Sequence, residues 1–330
     1  MIPESKKTVL ANALQSTFGV SEFDDISQLT TGLSSALVFR MNVKGKSYLL
    51  KLNTRTDAMG DPSHQFICMK PSAEVELGPR IRYMNAEERI WITDFIEAKP
   101  FPIRDARVKT PALLKRLHSL PPFPARFNFI EFVDGLIRKF QDEKILPESM
   151  TSEVFRQYAK IPPLFPRECQ DLVSSHNDLK PENILFDGRQ PWLVDWEAAF
   201  LNDRYIDLAI VANFLVRNDG EEREYLKNYF GEEVNEYQRA RFFLMRQVLH
   251  MSYFIFFMRL VSAAGKPLDM DLIKTDFTVF NESMWYGQID LKNIDNKQIY
   301  AWVHLQRLQH NLQMKKFDEA LQTVSGYVLT

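Results

Sequence analysis

Cysteine is scarce. Cys68 and Cys169 are the two in 330 residues, too few for a disulfide framework, and a reducing, cytoplasmic setting is expected. No stretch is apolar for long enough to span a bilayer. The richest, Gln247 to Met258, is bracketed by Arg246 and Arg259 and reads as a buried helix. The opening M-I-P-E-S-K-K has no apolar core of the kind a signal peptide needs, so no leader is expected. Charge is nearly balanced, at −2, which leaves no electrostatic excess to draw a nucleic acid. Internal repeats and low-complexity tracts are missing too. The length is generous for one compact core and comfortable for two lobes.

What is present gathers between Ser174 and Ala199. His176-Asn177-Asp178 precedes the apolar run Ile184-Leu185-Phe186. Asp187-Gly188 signals a hairpin, and Trp192-Leu193-Val194 is a second apolar run that delivers Asp195 and Glu197. Three carboxylates and the Asn183 amide thus collect around one small hairpin. Phosphoryl transfer from a nucleotide needs such a set. One carboxylate positions the attacking hydroxyl and accepts its proton; an amide and other carboxylates hold Mg2+ on the phosphates. Each residue alone would pass as a turn cap. The ordered spacing, with Asp178 five residues ahead of Asn183 and Asp195 on the next strand, favours the chemistry.

The stretch resembles the kinase-like phosphotransferases that include choline/ethanolamine kinases and aminoglycoside phosphotransferases. Their mark is H-[NG]-D-x-x-x-x-N followed by [IVL]-D-[WF]-[ED]; here it is His176-Asn177-Asp178 to Asn183, then Val194-Asp195-Trp196-Glu197. H-N-D leans toward the choline kinase side. The loop is also similar to the protein-kinase string H-R-D-L-K-P-E-N, but D-W-E replaces D-F-G and no A-P-E segment follows.

The resemblance implies an α+β, protein-kinase-like bilobal fold. Residues 1–97 would form a small antiparallel-sheet N-lobe that binds nucleotide phosphates. Residues 98–330 would form a larger, mainly helical C-lobe with the catalytic loop and the acceptor site. The cofactors implied are ATP and Mg2+. Asp178 would orient the acceptor hydroxyl, Asn183 and Asp195 would hold the metal, and Glu197 would support metal or substrate. Gly32, Ser34 and Ser35 would be the tip of a short phosphate loop, where small residues let backbone N–H groups approach phosphate oxygens. Backbone groups of Asp94 and Ile96 would meet the adenine edge. Asp207 would start a helix and hold the catalytic loop.

Lys51 is a lysine inside an apolar strand, with Tyr48, Leu50 and Leu52 pointing one way and Leu49 and Lys51 the other. It reads either as a solvated edge residue or as the lysine that steadies the α/β-phosphates. Its usual glutamate partner is not evident: no glutamate occurs from Asp61 to Ala73, Pro71 interrupts the expected helix, and Glu74 comes late. Thr110-Pro111 reads as a helix cap followed by a first-turn proline, and His118 as a packing or capping residue.

The expected reaction is γ-phosphoryl transfer to a small-molecule alcohol, with choline or ethanolamine first and an aminoglycoside or other small alcohol as the alternative. A cationic head would need aromatic faces and a carboxylate; Tyr253, Phe257 and Trp285 are candidates, though core packing explains most aromatics of the long helix from 236 to 264. A catalytically silent nucleotide-binding protein is the rival outside enzymes. A protein kinase is disfavoured by D-W-E.

Overall fold

The computed structural model describes residues 2–29, 36–55, 57, 61–165 and 171–328. In chain order the regular elements begin with α1 (Glu4–Phe18), β1 (Asp25–Leu29), β2 (Ala36–Val43), β3 (Lys46–Asn53), α2 (Ser63–Glu74), β4 (Ile81–Asn85) and β5 (Ile90–Asp94). There follow α3 (Ile103–His118), α4 (Phe129–Asp142), α5 (Glu148–Tyr158), β6 (Leu172–Ser175), β7 (Ile184–Phe186), β8 (Pro191–Leu193) and β9 (Phe200–Asp203). The chain ends with α6 (Arg204–Leu215), α7 (Asp219–Phe230), α8 (Glu236–Ala263), α9 (Phe277–Trp285), α10 (Ile294–Leu312) and α11 (Lys315–Val328). Two compact units divide it: Met1–Pro100 with Glu182–Ala199, and Phe101–Pro181 with Phe200–Thr330.

The first unit is built on a five-stranded antiparallel sheet in the order β1-β2-β3-β5-β4. Strand alternation sorts its side chains. Phe39, Met41, Val43, Tyr48, Leu50, Leu52, Ile90 and Ile92 share one core with Leu10, Ala13 and Leu14 of α1. α1 stops where Gly19 turns left-handed at φ 70° and returns its N–H to Gln15. The other face of β3 carries Lys51, and β3 is the central strand, so the solvated-edge reading fails: Lys51 is 9% exposed.

The β7–β8 hairpin joins this unit. Asp187 organises its turn, its Oδ1 accepting the N–H groups of Arg189 and Gln190 and its Oδ2 the indole N–H of Trp192. Leu193 N–H donates to Leu77 O at 2.8 Å. That approach needs Gly78, because a Cβ there would stand 3.1 Å from the Leu193 carbonyl and 3.5 Å from Trp196 Nε1. Gly78→Ala should therefore destabilise the fold by about 1–3 kcal/mol, read as a lower urea midpoint; an unchanged midpoint would mean the strand can yield there.

α2 runs unbroken through Pro71, with the Ser72 hydroxyl donating to Cys68 O. Asp61 prepares its start by accepting the Ser63 N–H and hydroxyl. Glu74 sits exposed at the far end.

The second unit is helical around α8, which packs against α4, α6, α10 and α11. α8 begins at a capping box between Asn235 and Gln238 and buries Leu244, Val248, Met251, Phe254, Ile255 and Met258. No helix among the described residues is long and apolar enough to cross a membrane.

Thr110-Pro111 does not start a helix but lies inside α3, which begins at Ile103 after Pro102. Pro111 offers no N–H to the preceding turn. Burial of Thr110, Pro111, Leu113, Leu114 and Leu117 on one side keeps the helix going, and the Thr110 hydroxyl bonds Ala106 O at 2.7 Å.

Candidate active site

In the sheet unit, Lys51 Nζ lies 3.0 Å from Asp195 Oδ1. The pair joins residues far apart in sequence through two supports: β3 from one side and the end of β8 from the other. Trp91, paired with Lys51 across β3–β5, places its ring 5.8 Å from the ammonium. Asp195 is left-handed at φ 67°, a conformation that Asp tolerates better than most residues and that clusters at functional positions. Asn183, 3% exposed, leads into β7, and its carbonyl accepts the N–H of Val194, the neighbour of Asp195. Glu197 lies exposed in the short turn after Asp195.

α2 secures the exit of this segment: His64 Nε2 lies 2.6 Å from Ala199 O, and the Cys68 thiol donates to the same oxygen at 3.5 Å. Neither residue belongs to a recognisable motif, so this task of α2 was not legible from the residues alone. Asp94 ends β5 with its carboxylate gripped by Arg82 at 2.6 and 2.9 Å, and its N–H donates to Arg80 O at 2.9 Å. Ile96 follows, half-buried. Gly32, Ser34 and Ser35 lie outside the described residues.

In the helical unit, Asp178 pairs with Lys180 at 3.0 Å, the two side chains 40% and 34% exposed. The loop before it is fixed by Asp207, which is wholly buried in the first turn of α6. Asp207 Oδ2 accepts the His176 N–H at 2.9 Å and Oδ1 the Asn177 N–H at 2.7 Å. His118 Nε2 completes the carboxylate at 3.0 Å, while its Nδ1 faces the Tyr229 hydroxyl at 2.6 Å. These partners assign the tautomer: Nε2–H donates to Asp207, and Tyr229 donates to Nδ1. His118 thus orients the carboxylate that holds the loop, a job its setting at the end of α3 did not reveal.

Asp195 and Asn183 supply a carboxylate and an amide oxygen, hard donors of the kind Mg2+ takes. Among the described residues no three His, Cys, Asp or Glu side chains form a metal cage. Mg2+ at nucleotide sites needs none, since one or two carboxylates and the phosphates suffice alongside water. The donor set fits the ion.

The fold is that of the kinase-like phosphotransferases. Residues 103–243 match the profile of the phosphotransferase enzyme family, APH. Among solved structures it is similar to a choline/ethanolamine kinase family protein from Mesorhizobium loti, at 18% identity and TM-score 0.69, over 96% of this chain and 98% of that one. The choline kinase LicA of Streptococcus pneumoniae aligns at 17% identity and TM-score 0.60, over 93% and 98%. Spectinomycin phosphotransferase APH(9)-Ia, solved with ADP and spectinomycin, aligns at 13% and 0.52, over 89% and 98%. No curated protein matches in sequence. The likenesses establish the shared fold of a small antiparallel sheet and a helical body.

Proposed function

We propose that this protein is an ATP-dependent small-molecule kinase, with choline or ethanolamine as the acceptor. The observation that carries the reaction is the Lys51–Asp195 pair, a buried cation set on the carboxylate of the metal motif. Lys51 would steady the phosphates, with the backbone at Asp94 and Ile96 and the small residues Gly32, Ser34 and Ser35 serving the rest of the nucleotide. Asn183, Asp195 and Glu197 would hold Mg2+, which when bound neutralises charge on the transferring phosphates. Asp178 would orient the acceptor hydroxyl and take its proton. Such transfer rests on positioning and electrostatics, so Asp178 need not be a strong base. The domain assignment proposed with this reading is 1–97 for the nucleotide and 98–330 for catalysis and the acceptor.

Support for the acceptor class comes from the helical unit. Burial first, and then the charges of Asp178 and Asp207, raise the Tyr253 hydroxyl far above its ordinary range. Tyr300 lies 5.6 Å from Tyr253 and Phe257 6.3 Å, a group of aromatic rings in the same unit as Asp178. Such a combination suits a cationic head. Trp285 is engaged elsewhere, its indole N–H donating to Phe101 O.

The test is ADP production from Mg-ATP with choline, ethanolamine and a panel of aminoglycosides. Turnover with choline or ethanolamine is expected. Turnover with aminoglycosides alone would keep the reaction and overturn the acceptor. ATP binding with no turnover on any acceptor would favour the silent nucleotide binder.

A further inference from the structure

Asn177, the residue just before Asp178, is held in the left-handed region at φ 64°. Its side chain closes the ladder between β6 and β9. Nδ2 faces the carbonyls of Ser175 at 3.3 Å and Phe200 at 3.4 Å. Those two acceptors fix which way the amide points, so Oδ1 faces Asn202, whose Nδ2 donates to it at 2.8 Å. Asn202 is oriented in turn, since its Oδ1 accepts the N–H of Asp203 at 3.0 Å. It is 4% exposed, and its residue pairs with Val173 in the β6–β9 register.

The next residue ties this amide pair to the body of the unit. Asp203 caps α6 by accepting the Tyr205 N–H and forms an ion pair with Arg241 of α8. Arg241 also reaches Leu164 O and covers the Phe165 ring. Asp207 therefore fixes the backbone N–H groups of the loop, while Asn202 fixes the Asn177 side chain from a separate strand.

We propose that Asn202 is a positioning residue for phosphoryl transfer: its amide holds Asn177 in the left-handed conformation that sets the direction of Asp178. The proposal rests on the kinase reading, in which Asp178 faces the acceptor hydroxyl. It assigns a task to a residue outside both motifs, and it explains why an Asn at 177 needs a donor opposite it.

The experiment compares wild type with Asn202→Ala, Asn202→Asp, Asn177→Gly and the Asn177→Gly/Asn202→Ala double variant. Gly is chosen at 177 because it accepts φ 64° without strain. Steady-state kinetics use the acceptor that wild type turns over, and urea unfolding monitors folding. Asn202→Ala should lower kcat by about 10- to 100-fold, the scale on which small misplacements of a reacting group act, with KM for ATP within about twofold. In the Asn177→Gly background, where the acceptor amide is gone, adding Asn202→Ala should change kcat by less than about twofold.

Asn202→Asp gives the distinctive readout. An ionised carboxylate there places oxygen against the Asn177 oxygen, whereas a protonated one can donate to it. Burial raises such a group above its ordinary range, with the adjacent Asp203 carboxylate adding to it and Arg241 opposing it, so kcat relative to wild type should climb as pH falls. A flat relative profile, or a full Asn202→Ala loss retained on top of Asn177→Gly, overturns the assignment. If wild type itself transfers no phosphoryl group, the kinase reading falls and the positioning proposal falls with it; that case is recognised by silence in all five proteins, whereas a failure of the Asn202 assignment alone leaves wild type active.

Discussion

Asp178→Ala should lower kcat by about a thousandfold or more, within the range that a positioned base contributes, while ATP affinity stays within about twofold. The carboxylate belongs to the helical unit and pairs with Lys180, so in the proposed reaction its removal would take away the partner of the acceptor hydroxyl while Lys51, Asn183 and Asp195 remain. Rapid-quench measurement of ADP formation, beside equilibrium binding of ATP, separates the two quantities. Near-normal turnover in the variant would remove Asp178 from the chemistry. Loss of ATP binding together with turnover would point to a collapsed loop, which the urea midpoint would reveal.

The second large effect is expected at Asp195. Asp195→Asn keeps the shape but removes the negative charge that faces Lys51 at 3.0 Å and that would draw Mg2+. Loss of a metal-holding carboxylate should reduce kcat by about a thousandfold and move the Mg2+ dependence to much higher concentration. Activity at a series of Mg2+ concentrations checks both. The shift in Mg2+ dependence is the discriminating part: a large fall in kcat with unchanged Mg2+ dependence would assign Asp195 to holding Lys51 and leave the metal to other residues. Lys51 itself is 9% exposed and would keep a charge without its carboxylate partner, so some loss of stability should accompany the kinetic change.

Most of the frame was readable from the residues. The alternation at 46–53 placed Tyr48, Leu50 and Leu52 on the core side and Lys51 on the other, because the two-residue period of a strand leaves no third choice. The Asp187-Gly188 turn and its two short strands formed where expected, since the turn chemistry is local. Failures came where distant packing decides. Thr110-Pro111 carries a strong local start signal, yet tertiary burial of α3 overrode it. Pro71 was read as a break, and α2 passes through it. β9 carries no local signal; it exists because β6, some thirty residues earlier, supplies its hydrogen bonds. His118, His64 and Asn202 reach Asp207, Ala199 and Asn177 through long-range contacts, which leave no periodicity to detect. Glu74 offered the nearest glutamate for Lys51, and its exposed place at the end of α2 contrasts with the position of Asp195 beside the ammonium.

The sheet unit takes its last hairpin from residues 182–199, far along the chain from its first hundred. During synthesis, β3 and α2 leave the ribosome long before their partners exist: Lys51 waits 144 residues for Asp195, and the Ala199 carbonyl that His64 bonds comes 135 residues after it. Until then the Leu77 carbonyl and a lysine without its carboxylate partner are open to the wrong neighbours. Loop closure over such a distance is slow. The part of the protein made first is therefore among the last to be finished, and a nascent chain halted before residue 199 would carry an incomplete sheet unit with a surface for chaperones to shield.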